Sequence, residues 1–301
     1  MTGMDLPQLL QFYRARGYDC FETPAGHWML MDDSRAVNLP PLDDIYPTRE
    51  DIRQVFKRGA WAVRFCTTGP WEPLSQEFVL KASPYDLSVC KQKARNQVRA
   101  SMSRCAFQSP SEAELIEKGL EINLQTAARH RSKNDFLVEP EKWRRYMAAI
   151  LAMADVHPYA AYVNDALVAY LLLVVVGERF VIIHPFMNAA ASKQYPMNGL
   201  LFHAINDARQ KRGPLPVSYG FGSMWNIESL DRFKMAMGFE PIPRARITLF
   251  ARSISPMINS PVGGLLKRLP LLQRSLGERY ARMLEEKQLG SRWWDTAPES
   301  R

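Results

Sequence analysis

One stretch limits what this chain can fold into more than any other: Ala166 to Val176 reads ALVAYLLLVVV, apolar without interruption. A bilayer-crossing helix needs roughly 20 such residues, so the run is too short to span a membrane. Turn chemistry bounds it at Asn164-Asp165 and at Gly177-Glu178. An unbroken apolar run between turns predicts a strand buried on both faces. Strand patterns flank it, Tyr159 to Val163 before and Arg179 to Phe186 after, so three antiparallel strands are expected here.

A loop from Met187 to Asn198 then leads to a helix from Gly199 to about Lys211, stopped by Gly213-Pro214. Val217 to Phe221 reads as a strand, Ile227 to Met237 as a helix ended by Gly238, and Phe239 to Pro243 and Arg246 to Ala251 as closing strands. Upstream, Leu6 to Arg16 has helical spacing and Cys20 to Met31 reads as a hairpin. Thr48, with Asp51 three residues on, caps a helix that runs through Lys57, and Ala60 to Thr67 is a strand. Three more helices are expected: Ser88 to Arg104, Ser111 to about Arg129 behind a Ser111/Glu114 capping box, and Pro140 to Met153. The class is α+β, with mixed, mostly antiparallel sheets flanked by helices. The expected division is residues 1–150, 151–252 and a tail, 253–301.

The composition is that of an ordinary globular protein, with 47% apolar and 23% charged residues among 301. The net charge of +8 favours anionic partners: phosphates, nucleotides, RNA or an anionic membrane face. Part of that charge lies on one helix, where Lys91, Arg95 and Arg99 recur every four residues and Lys93 joins them. This cluster is a candidate anion site; a solvated helix face is the alternative. Cys20, Cys66, Cys90 and Cys105 form no CxxC pair and read as reduced thiols, and no metal site is expected. The chain start lacks a basic segment followed by an apolar run, so a cytoplasmic location is expected. In the tail, Leu265, Leu266, Leu269, Leu272, Leu276 and Tyr280 accompany Lys267, Arg268, Arg274 and Arg279. Such a segment either lies on an anionic membrane or docks on the protein's own surface.

The order of the second half resembles the GNAT superfamily core. The resemblance is carried by Ser229-Leu230-Asp231-Arg232-Phe233-Lys234 followed by Met235-Ala236-Met237-Gly238-Phe239, a helix that runs into a Gly-Phe strand start. GNAT proteins usually place Tyr four residues before that glycine; this chain has Lys234. A Phe-Lys pair there resembles the Fem-type aminoacyltransferases, which are built from two GNAT-like halves and draw on aminoacyl-tRNA. The basic run Lys91 to Arg99 and the segment Leu124 to Arg131 resemble the same family. The resemblance implies acyl or aminoacyl transfer from acyl-CoA, an acyl carrier or aminoacyl-tRNA to an amine. The acceptor would be a small molecule or a peptide or glycan precursor, and no cofactor would be tightly bound.

The residues depart from the ordinary GNAT pattern at the donor loop. Glycines there let backbone N–H groups approach a pyrophosphate at a helix N-terminus. Here the stretch is Tyr195-Pro196-Met197-Asn198-Gly199-Leu200-Leu201, and only Gly199 fits. Tyr195, Asn198, Gly199 and Phe233 are the donor-binding candidates. Acyl transfer needs a neutral amine, a positioned carbonyl and a stabilised oxyanion. Lys234 is the candidate cation, with His184, Asp231 and Glu228 as candidate bases. The competing reading is a non-catalytic GNAT-like module that binds RNA or an anionic glycolipid or membrane surface.

Overall fold

The computed structural model describes residues 3–130, 135–222, 228–253 and 278–300. They form two compact units, each assembled from separate stretches of chain. The first takes described residues from 3–16, 77–222 and 228–242, the second from 17–76, 243–253 and 278–300. Unit boundaries therefore do not fall at 150 and 252. The reason lies in the larger sheet, whose completion needs a strand from before residue 150.

The elements in chain order are α1 (Leu6–Ala15), β1 (Asp19–Thr23), β2 (Gly26–Leu30), β3 (Arg35–Leu39), α2 (Arg49–Lys57), β4 (Ala62–Cys66), β5 (Ser75–Leu80), α3 (Gln92–Arg104) and β6 (Ala106–Gln108). Next come α4 (Glu112–Glu114), a π-helical turn (Leu115–Gly119), α5 (Leu120–His130), α6 (Asp135–Val138) and α7 (Pro140–Leu151). Then follow β7 (Val156–Val163), β8 (Ala166–Val176), β9 (Arg179–Met187), a 3-10 turn (Ala189–Gln194), α8 (Pro196–Arg212), β10 (Val217–Phe221), α9 (Glu228–Ala236), β11 (Glu240–Arg244), β12 (Arg246–Phe250) and α10 (Glu278–Thr296). The class is the expected α+β one. A seven-stranded sheet runs β11-β5-β10-β9-β8-β7-β6 and a five-stranded sheet runs β1-β2-β3-β4-β12.

The long apolar run is β8, paired antiparallel with β7 and β9 along most of its length. It is buried on both faces, as its sequence predicts. Ala169, Leu171, Leu173 and Val175 enter a core shared with α3 and with Leu200, Leu201, Ala204 and Ile205 of α8. Tyr170, Leu172 and Val174 enter a second core with Trp143, Tyr146, Met147 and Ile150 of α7. Each fully buried aliphatic side chain contributes about 1.5–3 kcal/mol relative to exposure. The first sheet face is called the α8 face below and the second the α7 face. Two strands of this sheet, β5 and β6, are not among the elements predicted from the pattern. β5 pairs antiparallel with β10 (Val217 opposite Leu80), which brings residues from before α3 into the first unit.

Both predicted capping boxes form. Thr48 and Asp51 exchange bonds at the start of α2, and Ser111 and Glu114 do so at the start of α4. The second unit packs α2 and α10 on the five-stranded sheet through Ile52, Val55, Phe65, Ile247, Leu289 and Trp293. Gly290 lets α10 lie directly on β12, since a Cβ there would stand 2.3 Å from the Thr248 carbonyl oxygen. The Arg64–Glu286 pair, N to O 2.6 Å, fixes the same helix to β4. Leu265 to Leu276, which carry the predicted amphipathic tail, lie outside the described residues. No described helix is long and apolar enough to cross a membrane. All four cysteines are buried free thiols.

Candidate active site

The seven-stranded sheet parts between two neighbouring strands. β9 and β10 run parallel but pair at only two positions, Phe180 with Val217 and Val181 with Ser218. Beyond them β9 continues to Met187 and β10 to Phe221 without registering. Each lip carries an irregularity. The β8–β9 register shifts across His184-Pro185, where Leu172 faces Ile183 but Tyr170 faces Phe186. The β5–β10 register shifts between Ser218 and Phe221, around Gly220 at φ 76°. A bulge bends the strand that bears it, and β9 and β10 share no paired position beyond Val181 and Ser218.

Lys234 sits at the β10 lip on the α8 face. Its side chain is 2% exposed. Nζ donates to the Phe221 carbonyl at 3.1 Å and to Asp231 Oδ1 at 3.2 Å. It also lies 4.4 Å from the Phe78 ring centroid and 5.2 Å from that of Tyr219. Burial lowers the ammonium's pKa below the ordinary lysine value, and Asp231 opposes that shift. The helix spacing that puts Asp231 one turn before Lys234 thus produces an ion pair that engages this candidate base. The result is a fixed cation in a low-dielectric lining at the end of a diverging strand. Such a group stabilises developing negative charge far more than it would in water.

The structure does not bring His184 to this cation. Strict alternation would put Ile182 and His184 on the same face, and Ile182 does enter the α8-face core. His184 instead takes the left-handed conformation, φ 52°, and its ring turns to the α7 face. There it stacks on Phe186 at 5.6 Å and meets Trp143, Tyr146 and Phe136 within 6.1 Å. Its Nε2 hydrogen-bonds the Tyr146 hydroxyl at 2.9 Å. Burial, aided by Arg16, pushes its pKa well below the ordinary histidine value. A left-handed non-glycine residue costs of order 1–3 kcal/mol, which the surrounding packing must offset.

The other expected residues divide. Phe233 packs in the α8-face core, edge-on to Tyr219 at 6.4 Å, with no geometry that singles it out for a donor. Glu228 opens α9, and its side chain is outside the described residues. Gly199 does not serve an open loop: a Cβ there would stand 2.3 Å from Ser101 Oγ and 2.5 Å from Phe107 Cζ, so its smallness seats α8 against α3. The same contact uses Asn198, whose Nδ2 reaches Gln97 Oε1 at 3.3 Å and Met237 Sδ at 3.5 Å. The Asn198 and Gly199 amides both point to the Tyr195 carbonyl, and Pro196 has no N–H to offer. The α8 N-terminus therefore lacks the glycine-lined cradle of backbone donors that a pyrophosphate requires.

The basic helix is α3. Lys91 caps it and donates its backbone N–H to the Ala236 carbonyl at the end of α9. Lys91, Lys93 and Arg99 are exposed, whereas Arg95 is half-buried and turns its guanidinium to the Cys90 carbonyl at 3.2 Å. Lys93 meets Tyr195 across a depression of about 400 Å³ lined also by Gln92, Asn96 and Gln97. Lys91, Arg95 and Arg99 do not line it. Sequence reasoning missed Glu77, a buried carboxylate on β5 that accepts from Ser218 Oγ at 2.7 Å and pins the β10 lip. An acid in an unassigned strand gave no signal to find it by.

Residues 91–225 match the family model described as Acetyltransferase (GNAT) domain. Comparison with curated proteins finds no match. Among solved structures, FemX superposes with a TM-score of 0.56 at 10% identity, covering 85% of this chain and 94% of that one. The C-terminal DUF2156 domain of an Agrobacterium fabrum protein assigned as a lysylphosphatidylglycerol synthetase gives 0.55 at 13% identity, over 84% and 90% of the two chains. L-PGS from Bacillus licheniformis gives 0.51 at 11%, over 85% and 96%. At these identities the likeness is one of fold, and it is the fold that the Phe233-Lys234 and Gly238-Phe239 pattern pointed to.

Proposed function

We propose, from the premise that the chain carries a GNAT-family domain over residues 91–225, that it transfers an aminoacyl group from charged tRNA to an amine. Acyl transfer to an amine is what the GNAT domain implies in general. The narrower donor rests on one observation: the α8 N-terminus is spent on packing α3, through Gly199 and Asn198, where a CoA-dependent relative would keep a pyrophosphate cradle open. The likeness in fold to FemX and to L-PGS is compatible with this choice.

In this reading the ester carbonyl of the donor enters between β9 and β10. The amine attacks it without a covalent enzyme intermediate: the C–N bond forms, the acyl C–O bond to the tRNA ribose breaks, and the amine's proton leaves with the ribose hydroxyl. Lys234 meets the negative charge that develops on the carbonyl oxygen, held in place by Asp231 and the Phe221 carbonyl. The acceptor is a small molecule or a peptide or glycan precursor. The exposed cations of α3, Lys91, Lys93 and Arg99, offer phosphate contacts to an RNA donor.

The test presents the full chain with a pool of tRNA charged with radiolabelled amino acids, or with labelled acetyl-CoA, each alongside a lysine-containing peptide and a mixture of small amines. Label transferred from tRNA and not from acetyl-CoA supports the reading. Transfer from acetyl-CoA alone overturns the choice of donor, and transfer from neither overturns the activity.

A further inference from the structure

The Lys234 mechanism leaves unused a buried pair on the opposite face of the same sheet, Tyr146 and His184. We infer that this pair is a positioning device for the proposed transfer: it locks the β9 bulge that keeps the sheet open beside Lys234. The inference rests on reading the β9–β10 parting as the reaction centre.

Three observations meet at one residue. First, β9 leaves β10 after Val181 and shifts register against β8 at His184-Pro185, so the irregularity begins within three residues of the last paired position. Second, His184 adopts φ 52°, a conformation uncommon for residues other than glycine and outside the β region its strand neighbours occupy. Third, something holds it there. The 2.9 Å bond to the Tyr146 hydroxyl ties the ring to α7, and Phe136, Trp143 and Phe186 close around it, with the Arg16 guanidinium 4.7 Å from the Phe136 ring. Position 184 would, by alternation, direct a side chain to the α8 face. The anchor to Tyr146 instead swings it to the α7 face, and the backbone follows as a bulge. Both residues lie on the α7 face, opposite Lys234, and act through the shape of β9.

The full chain carrying Tyr146→Phe, which removes one hydroxyl and keeps the ring, is compared with Ile150→Val, which loosens the same core and leaves the bond and the rings around His184 in place. Two quantities are read: amide hydrogen exchange of the peptide spanning 179–187, which needs no substrate, and the rate of transfer from the charged-tRNA pool. Tyr146→Phe is expected to raise β9 exchange about tenfold and to lower kcat about 10- to 100-fold with KM for the amine unchanged. Ile150→Val is expected to lower thermal stability and leave kcat close to wild type. Wild-type exchange and wild-type kcat in Tyr146→Phe overturn the role of the pair. A Lys234→Ala chain with an undiminished rate would instead overturn the reading of the site, leaving the exchange result to decide the pair alone.

Discussion

The two faces of the seven-stranded sheet each bury a basic side chain, Lys234 on one and His184 on the other, and they treat it oppositely. On the α8 face Lys234 keeps a carboxylate, a carbonyl and two rings around its ammonium at the end of a diverging strand. On the α7 face His184 is surrounded by aromatic rings and one hydroxyl and is kept neutral. In the first, Asp231 opposes the lowering that burial causes; in the second, burial and Arg16 both act against the charge. A buried ionisable group therefore does not announce its task by burial alone. What distinguishes these two is whether the neighbours stabilise the charged or the neutral form.

If that contrast is right, the largest effect belongs to the charged side. Lys234→Ala should cost about 100- to 1,000-fold in transfer rate, the usual loss when one group stabilising an oxyanion is removed. Lys234→Met, which restores the packing without the charge, should be equally slow in the same assay. A fast Lys234→Met chain would make the lysine a packing residue and erase the contrast.

Next in size is the seat of α8. Gly199→Ala would force a Cβ to within 2.3 Å of Ser101 Oγ, an overpacking that should destabilise by about 1–3 kcal/mol in urea melts. Ser101→Gly in the same chain should recover part of it. Gly199→Ala with unaltered stability would reopen the α8 N-terminus as a donor cradle.

The neutral side predicts a pH effect. The native His184 pKa lies below the unfolded value of 6.5, so the unfolded chain binds that proton more readily. Stability is then complete above about pH 6.5 and is lost as pH falls below it. His157 and His203, also lowered mainly by burial, contribute in the same sense. His184→Asn should flatten the dependence of the urea midpoint between about pH 6.5 and 5; an unchanged slope would assign the acid sensitivity to the other two histidines. Smallest is Asn198→Ala, which removes hydrogen bonds to Gln97 and Met237 and should cost about 0.5–1.5 kcal/mol in the same melts.

Much of the fold could be read from the chain because it is written locally. β8 is a run that only a doubly covered strand accommodates, and the caps at Thr48 and Ser111 need no partner beyond three residues. Lys234 was singled out on equally local grounds: Asp231 and Gly238-Phe239 are its near neighbours in sequence. The site residues that were placed otherwise depend on distant chain. Gly199 resembles a donor-loop glycine until Ser101 and Phe107 arrive against it. His184 resembles a crevice residue until Tyr146 draws it through the sheet. β5 has little pattern of its own, and its place beside β10 is set by the strand it joins.

The role of the β9–β10 parting turns most directly on where an activated carbonyl sits. A co-crystal of the full chain with puromycin, a stable mimic of an aminoacyl-adenosine end, would show it. The carbonyl is expected between Ile182–His184 of β9 and Tyr219–Phe221 of β10, within hydrogen-bonding reach of Lys234 Nζ. Density in the depression beside Lys93 and Tyr195, with the β9–β10 parting empty, would contradict it.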